Sequence, residues 1–219
     1  MSLPLEYLMD SGSTTGPTLV LLHGRGSDER DLLPLGRMLS PDATVVAPRG
    51  PFPAAPWGYG PGWAWYRFIA GTTPEPASFE AGQERLAEFL RDLPTAIDRP
   101  DAPLVVGGFS QGGTSALAWA LRHPAKDSGV VVFSGFVADH PSVRVVPETV
   151  AGRAIWWGHG TADPAIPFAN AEAGWSALGA AGAALETHAY QGMGHTISRE
   201  AAESAAEFIR KLETSGGDG

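Results

Sequence analysis

The chain contains no cysteine. Disulfides, thiolate-ligated zinc and a thiol nucleophile are therefore excluded, although that alone does not fix the compartment. Positive charge is also scarce: 15 Lys and Arg face 24 Asp and Glu, a formal net charge of −9. A surface of that sign repels phosphate backbones and no basic cluster reverses it, so nucleic acid is not an expected partner. No apolar run is long enough to cross a membrane, and the first ten residues, MSLPLEYLMD, lack both a positive segment and a sustained apolar stretch. Neither a signal peptide nor a membrane span is read there, and the cytoplasm is the expected compartment. Internal repeats are not visible.

What is present is the material of a globular domain. Hydrophobic residues make up 43% of 219 positions, enough for one α/β domain with a full core and little for two. Residues 1–213 are expected to form that domain, and TSGGDG, 214–219, a flexible tail. The longest irregular stretch is Pro/Gly-rich, from Pro48 to Pro76, and carries Trp57, Tyr59, Trp63, Trp65 and Tyr66. So many aromatics do not suit a linker, and a loop that long inside a domain reads as functional. Trp63 and Trp65 alternate and share a face if extended, so Trp57, Trp63 and Trp65 are the candidates for a substrate-binding wall. A homodimer interface is the alternative use of the same aromatics.

Short apolar runs recur with helical segments between them. TLVLLHG, TVVAP, LVVGG, GVVVFSG, AIWWGHG and LETHAY read as buried strands, and LEYLM as an edge strand. Helices are expected over Leu32–Ser40, Ser78–Ile97, Gln111–Arg122, Pro167–Ala181 and Ile197–Leu212. That alternation predicts a mainly parallel sheet with helices on both faces. In such sheets the working loops gather at the carboxyl ends of the strands.

Those ends carry the chemistry. LVVGGFSQGG places Ser110 between a strand and a helix, with Gly108 two residues before it and Gly112 two after. G-x-S-x-G is the nucleophile elbow, a tight strand-to-helix turn that lifts a serine hydroxyl off the sheet. By itself so short a pattern is also a plain glycine turn, and the phosphate-cradling patterns do not fit. Its weight comes from two later strand ends: AIWWGHGTAD ends on Asp163, and LETHAYQGMGH on His195. Ser, Asp and His follow in the chain order of strand–elbow–helix hydrolases. A serine hydroxyl needs a base, imidazole is that base, and a carboxylate sets the imidazole tautomer.

Of six histidines, only His195 lies in a glycine-punctuated loop after the last strand. His23 is read as ordering the HGRG loop and His159 as shaping the turn that presents Asp163. His123 is read as a surface residue and His188 as part of a strand; His140 stands in a loop with no strand leading to it. Asp139 is the rival acid. The oxyanion of an acyl transfer needs two N–H donors, expected from Gln111 and from Arg25 after the first apolar strand. Histidines and acids do not fall at metal-ligand spacings, so neither metal nor cofactor is expected.

With these residues in place, the chain resembles the phospholipase/carboxylesterase (acyl-protein thioesterase-like) family of α/β-hydrolases. The segments that carry the resemblance are LLHGRGSDERDLLPL (21–35), APRGP (47–51), GGFSQGG (107–113), GHGTADPAIPF (158–168) and GMGHTIS (192–198). The resemblance implies an α/β-hydrolase fold with little or no cap domain. It assigns the nucleophile to Ser110, the acid to Asp163, the base to His195 and the oxyanion donors to the backbone of Arg25 and Gln111. Arg25 stands where many relatives carry leucine. The expected function is a serine carboxylesterase acting on small to medium acyl esters through an acyl-enzyme. Thioesterase or lysophospholipase action would use the same triad, and a ligand receptor built on the hydrolase fold is the reading from another class.

Overall fold

The computed structural model describes residues 3–123 and 128–215. Its first half runs β1 (Tyr7–Asp10), β2 (Thr18–Leu22), α1 (Leu33–Leu39), β3 (Thr44–Pro48), β4 (Phe52–Pro53), a 3-10 turn (Ala55–Trp57), β5 (Trp63–Ala64), β6 (Phe68–Ala70), β7 (Thr73–Pro74) and α2 (Pro76–Ala96). The second half continues β8 (Leu104–Phe109), α3 (Gln111–Arg122), β9 (Ser128–Phe133), α4 (Pro147–Val150), β10 (Ala154–Gly160), α5 (Phe168–Ala180), β11 (Ala184–Tyr190) and α6 (Arg199–Ser215).

Seven strands form the main sheet in the order β1-β3-β2-β8-β9-β10-β11. β1 is antiparallel to β3 and the other pairs are parallel. Period-two alternation sends Val20 and Leu22 to one face and Leu19 and Leu21 to the other. The first face is covered by Phe79, Leu86 and Phe89 of α2, the apolar length of α3, and Ala171 and Leu178 of α5. The second meets Leu39 of α1 and Ala205, Phe208 and Ile209 of α6. Because both faces are covered, the central strands read as unbroken apolar runs.

Three expectations are corrected. LETHAY is not a buried strand: among the described residues β11 pairs only with β10, and most of its residues are half-buried or exposed. The Pro48–Pro76 stretch is not irregular, since β4 pairs with β5 and β6 with β7. These pairings satisfy backbone groups that loop readings leave unassigned. The expected tail at 214–219 begins too early, because α6 runs through Ser215; the rest of it lies outside the described residues.

Packing is close where β8 passes into α3. A Cβ at Gly108 would sit 2.5 Å from the Leu22 carbonyl oxygen, and one at Gly112 would overlap the Leu22 and His23 carbonyls. Gly179, on α5, has nothing within 4 Å of such an atom. Gly112→Ala is therefore expected to destabilise the fold by at least about 1–3 kcal/mol. Gly179→Ala is expected to add about 0.4–1 kcal/mol by reducing the freedom of the unfolded chain. Urea unfolding midpoints of the two variants check both signs.

Candidate active site

β8 ends at the centre of the sheet, and Ser110 follows it with φ 56° and ψ −119°, as the residue that caps α3. That conformation is sparsely populated for a side-chain-bearing residue and costs about 1–3 kcal/mol. The surroundings enforce it: the Ser110 N–H donates to the Phe133 carbonyl at 2.8 Å, and the Thr114 N–H donates to the Ser110 carbonyl at 3.0 Å.

Two strands away, β10 leads into the turn that carries Asp163. Its Oδ1 accepts the N–H groups of Ala165 (2.8 Å) and Ile166 (2.9 Å). Its Oδ2 lies 2.7 Å from His195 Nδ1, and His195 Nε2 lies 2.9 Å from Ser110 Oγ. With Nδ1–H donated to the carboxylate, Nε2 is left to accept the serine proton. The Asp163 side chain is 0% exposed. Burial pushes its carboxyl up, but the Ile166 N–H, the His195 imidazole and the Ala165 N–H together hold it below its ordinary value. Asp163 is thus a carboxylate at neutral pH. Beneath it, the fully buried His159 donates Nε2–H to the Ile166 carbonyl at 3.0 Å. Burial lowers the His159 pKa, so it braces the turn as a neutral ring.

The His195 loop is pinned directly to the acid's loop. The Ala162 N–H donates to Met193 O at 3.0 Å and the Gly192 N–H to Thr161 Oγ1 at 2.9 Å. The His195 ring rests on Phe109, centroids 4.7 Å apart. Asp139 accepts instead from the Thr73 hydroxyl at 3.0 Å, on the small β6–β7 hairpin.

The loop after β2 closes the other side. His23 is buried; its Nδ1–H donates to the Gly24 carbonyl at 2.7 Å, and its Nε2 accepts the Gly50 N–H at 2.9 Å. Burial keeps this ring neutral, as both bonds require. Gly26 N–H donates to Trp63 O at 2.8 Å, and Trp63 N–H to Ser27 O at 2.7 Å. Arg49 adds a two-pronged bond to the buried Glu29, at 2.7 Å on each oxygen, and lies over the Trp63 ring. The sequence reading gave Gln111 a backbone role only. Its side chain also clamps the aromatic segment: Oε1 accepts Trp65 N–H at 2.9 Å and Nε2 donates to Tyr66 O at 2.8 Å. The clamp spans 46 residues, and the sequence carries no local signal for it.

Ser110, His195, Arg25 and Gln111 border one hollow of about 340 Å³, with Phe68, Phe109, Phe136 and Ile166 as its apolar wall. The three tryptophans expected there are elsewhere. Trp65 is 1% exposed and donates its indole N–H to His23 O at 2.9 Å, a core position. Trp63 lines a separate hollow beside Asp28 and Arg30, and Trp57 packs on Phe52 and Tyr59. The even spacing of Trp63 and Trp65 suggested a shared face, but the hairpin ends at Ala64 and Trp65 turns inward toward the Gln111 clamp. Phe68, inside the same aromatic stretch, and Phe136, just past the GVVVFSG strand, take the wall positions. Among the described residues, no group of three or more His, Asp or Glu side chains is placed to hold a metal.

Comparison with known proteins decides the family. The model of the Phospholipase/Carboxylesterase family matches residues 7–213. The chain belongs to the phospholipase/carboxylesterase family. Its carboxylesterase relatives include a probable carboxylesterase of Oryza sativa, 40% identical over 113 residues, which are 51% of this chain and 42% of that protein. The chain thus spans less than half the length of that relative. It covers 86% of an acyl-protein thioesterase 1 of Eremothecium gossypii, 28% identical over 206 residues, or 87% of this chain. The crystal structure of a Bacillus cereus carboxylesterase superposes with a TM-score of 0.82 at 25% identity, over 95% of this chain and 94% of that one. The fold is that of the α/β-hydrolases. No helix among the described residues is long and apolar enough to cross a membrane.

The Arg49–Glu29 pair that steadies the β2 loop of this phospholipase/carboxylesterase family member makes its stability pH-dependent. Bonding to Arg49 holds the Glu29 carboxyl at about 2, against an ordinary 4.5. A lowered carboxyl pKa stabilises the fold fully above the unfolded value, and the contribution is lost as pH falls through the folded one. Glu29→Gln is expected to lower stability at pH 7 and to flatten the loss between about pH 4.5 and pH 2, read by urea midpoints across that range.

Proposed function

We propose that the chain is a serine carboxylesterase that hydrolyses small to medium acyl esters through an acyl-enzyme. Ser110 is the nucleophile, His195 the general base and then acid, and Asp163 the group that orients the imidazole and stabilises its charged form. His195 Nε2 takes the proton as Ser110 Oγ bonds to the ester carbonyl carbon. The negative oxygen that results is held by the backbone N–H groups of Arg25 and Gln111, the second at the positive end of α3. The tetrahedral adduct collapses, the carbon–oxygen bond to the alcohol breaks, and His195 returns the proton to the leaving oxygen. Water then repeats the sequence on the acyl-serine and releases the acid. The single observation that carries this reading is the unbroken line Asp163–His195–Ser110, with spacings of 2.7 Å and 2.9 Å.

The hollow's size and its aromatic wall support a substrate of modest bulk. A thioester carbonyl would follow the same path, and the likeness to an acyl-protein thioesterase supports testing it beside oxygen esters. The proposed compartment is the cytoplasm, which fractionation of the native cells checks.

Ser110→Ala is expected to keep the fold, verified by circular dichroism, and to lower kcat on 4-nitrophenyl butyrate by about 10⁴-fold or more. Asp163→Asn is expected to lower it by about 10⁴-fold through the wrong imidazole tautomer, whereas Asp139→Asn leaves it unchanged. Turnover of wild-type size in Ser110→Ala would remove the nucleophile assignment. Reversed effects of the two acid variants would move the acid to Asp139.

A further inference from the structure

We propose that the Arg25 guanidinium is a substrate carboxylate receptor, so that the preferred substrates are esters carrying a carboxylate near the scissile bond. The proposal rests on the esterase reading and narrows its substrate class.

Arg25 borders the hollow beside Ser110, and its side chain is exposed. The guanidinium carbon lies 4.5 Å from the Tyr59 ring centroid and 5.5 Å from that of Phe68, itself a wall of the hollow. The perch is fixed: the Phe68 N–H donates to the Tyr59 hydroxyl at 2.8 Å. The backbone at the next residue is tied as well, through Gly26 N–H to Trp63 O. A guanidinium held over aromatic rings keeps its N–H rim for hydrogen bonds, and that rim matches a carboxylate in two-pronged fashion.

Among the described residues that rim meets no carboxylate. Six arginines, among them Arg30 and Arg49, each meet an acid within 4.0 Å; among the described residues Arg25 does not, and of the arginines left without an acid it is the one that borders this hollow. The acids just after it in sequence are engaged elsewhere, Asp28 with Arg30 and Glu29 with Arg49. Among the described residues, Arg25 is, besides His195, the one ionisable side chain on the wall of the hollow. It places a permanent positive charge on that wall in a chain whose net charge is −9. If the Arg25 backbone N–H holds the ester oxygen, its own side chain reaches only groups a few bonds from that carbonyl. The carboxylate can belong to the acyl part, as in a half-ester of a dicarboxylic acid, or to the alcohol part.

Two substrate pairs separate these sources. On the acyl side, 4-nitrophenyl hydrogen glutarate is compared with 4-nitrophenyl butyrate. On the alcohol side, the acetate ester of 4-hydroxybutanoate is compared with butyl acetate, followed by acid release at constant pH. The expected result is a charged-to-neutral ratio of kcat/KM above one for wild type in at least one pair, falling as salt is added. In Arg25→Met that ratio falls by about tenfold or more, and in Arg25→Lys by less. Wild-type ratios below one in both pairs, or an unchanged ratio in Arg25→Met, would overturn the proposal while leaving the esterase reading intact. The wild-type comparison stands even if the variants fail to fold. No turnover of any of the four esters would instead overturn the esterase reading, and this proposal with it.

Discussion

Everything at the active rim depends on one close approach, that of the first turn of α3 to the carbonyls ending β2. Gly112 lies against the Leu22 and His23 oxygens with no room for a side chain. That contact holds the helix N-terminus beside the loop of Gly24 and Arg25, so two backbone segments face the same hollow. It also sets the Gln111 amide where it reaches Trp65 and Tyr66. A gap of one methyl group would separate the serine turn from the loop facing it, and packed interiors do not absorb such a change smoothly.

The site is rigid for electrostatic reasons too. Asp163 stays ionised in a side-chain environment without solvent because three donors face its two oxygens. Two neutral buried imidazoles, His23 and His159, brace the loops on either side of it without adding charge. Each donates to a carbonyl of the loop it supports, at Gly24 and at Ile166. The strained Ser110 backbone is held between fixed partners and needs no substrate to form.

Much of this was legible in the sequence. The apolar runs from TLVLL to AIWWG announced a parallel sheet because both of its faces are covered, and Ser110, Asp163 and His195 stood at strand ends in hydrolase order. The edge character of β11 was not legible, because a run such as LETHAY reads alike on an edge or inside a sheet. The fate of the aromatic stretch was also hidden. Trp65 turns inward because of Gln111, 46 residues away in sequence, and no local spacing records such a contact. Tyr59 and Phe68 matter through the cation they carry, a relation between three separate segments.

The central claim is that one pre-oriented serine performs the chemistry. Its most direct test is labelling with a fluorophosphonate, a reagent that needs an activated serine and stays bound, followed by mass spectrometry of the digested protein. The account predicts one adduct per chain, on the peptide that contains Ser110, with labelling and ester hydrolysis lost in parallel. An adduct on a different residue, or full hydrolytic activity in protein quantitatively labelled at Ser110, would contradict it.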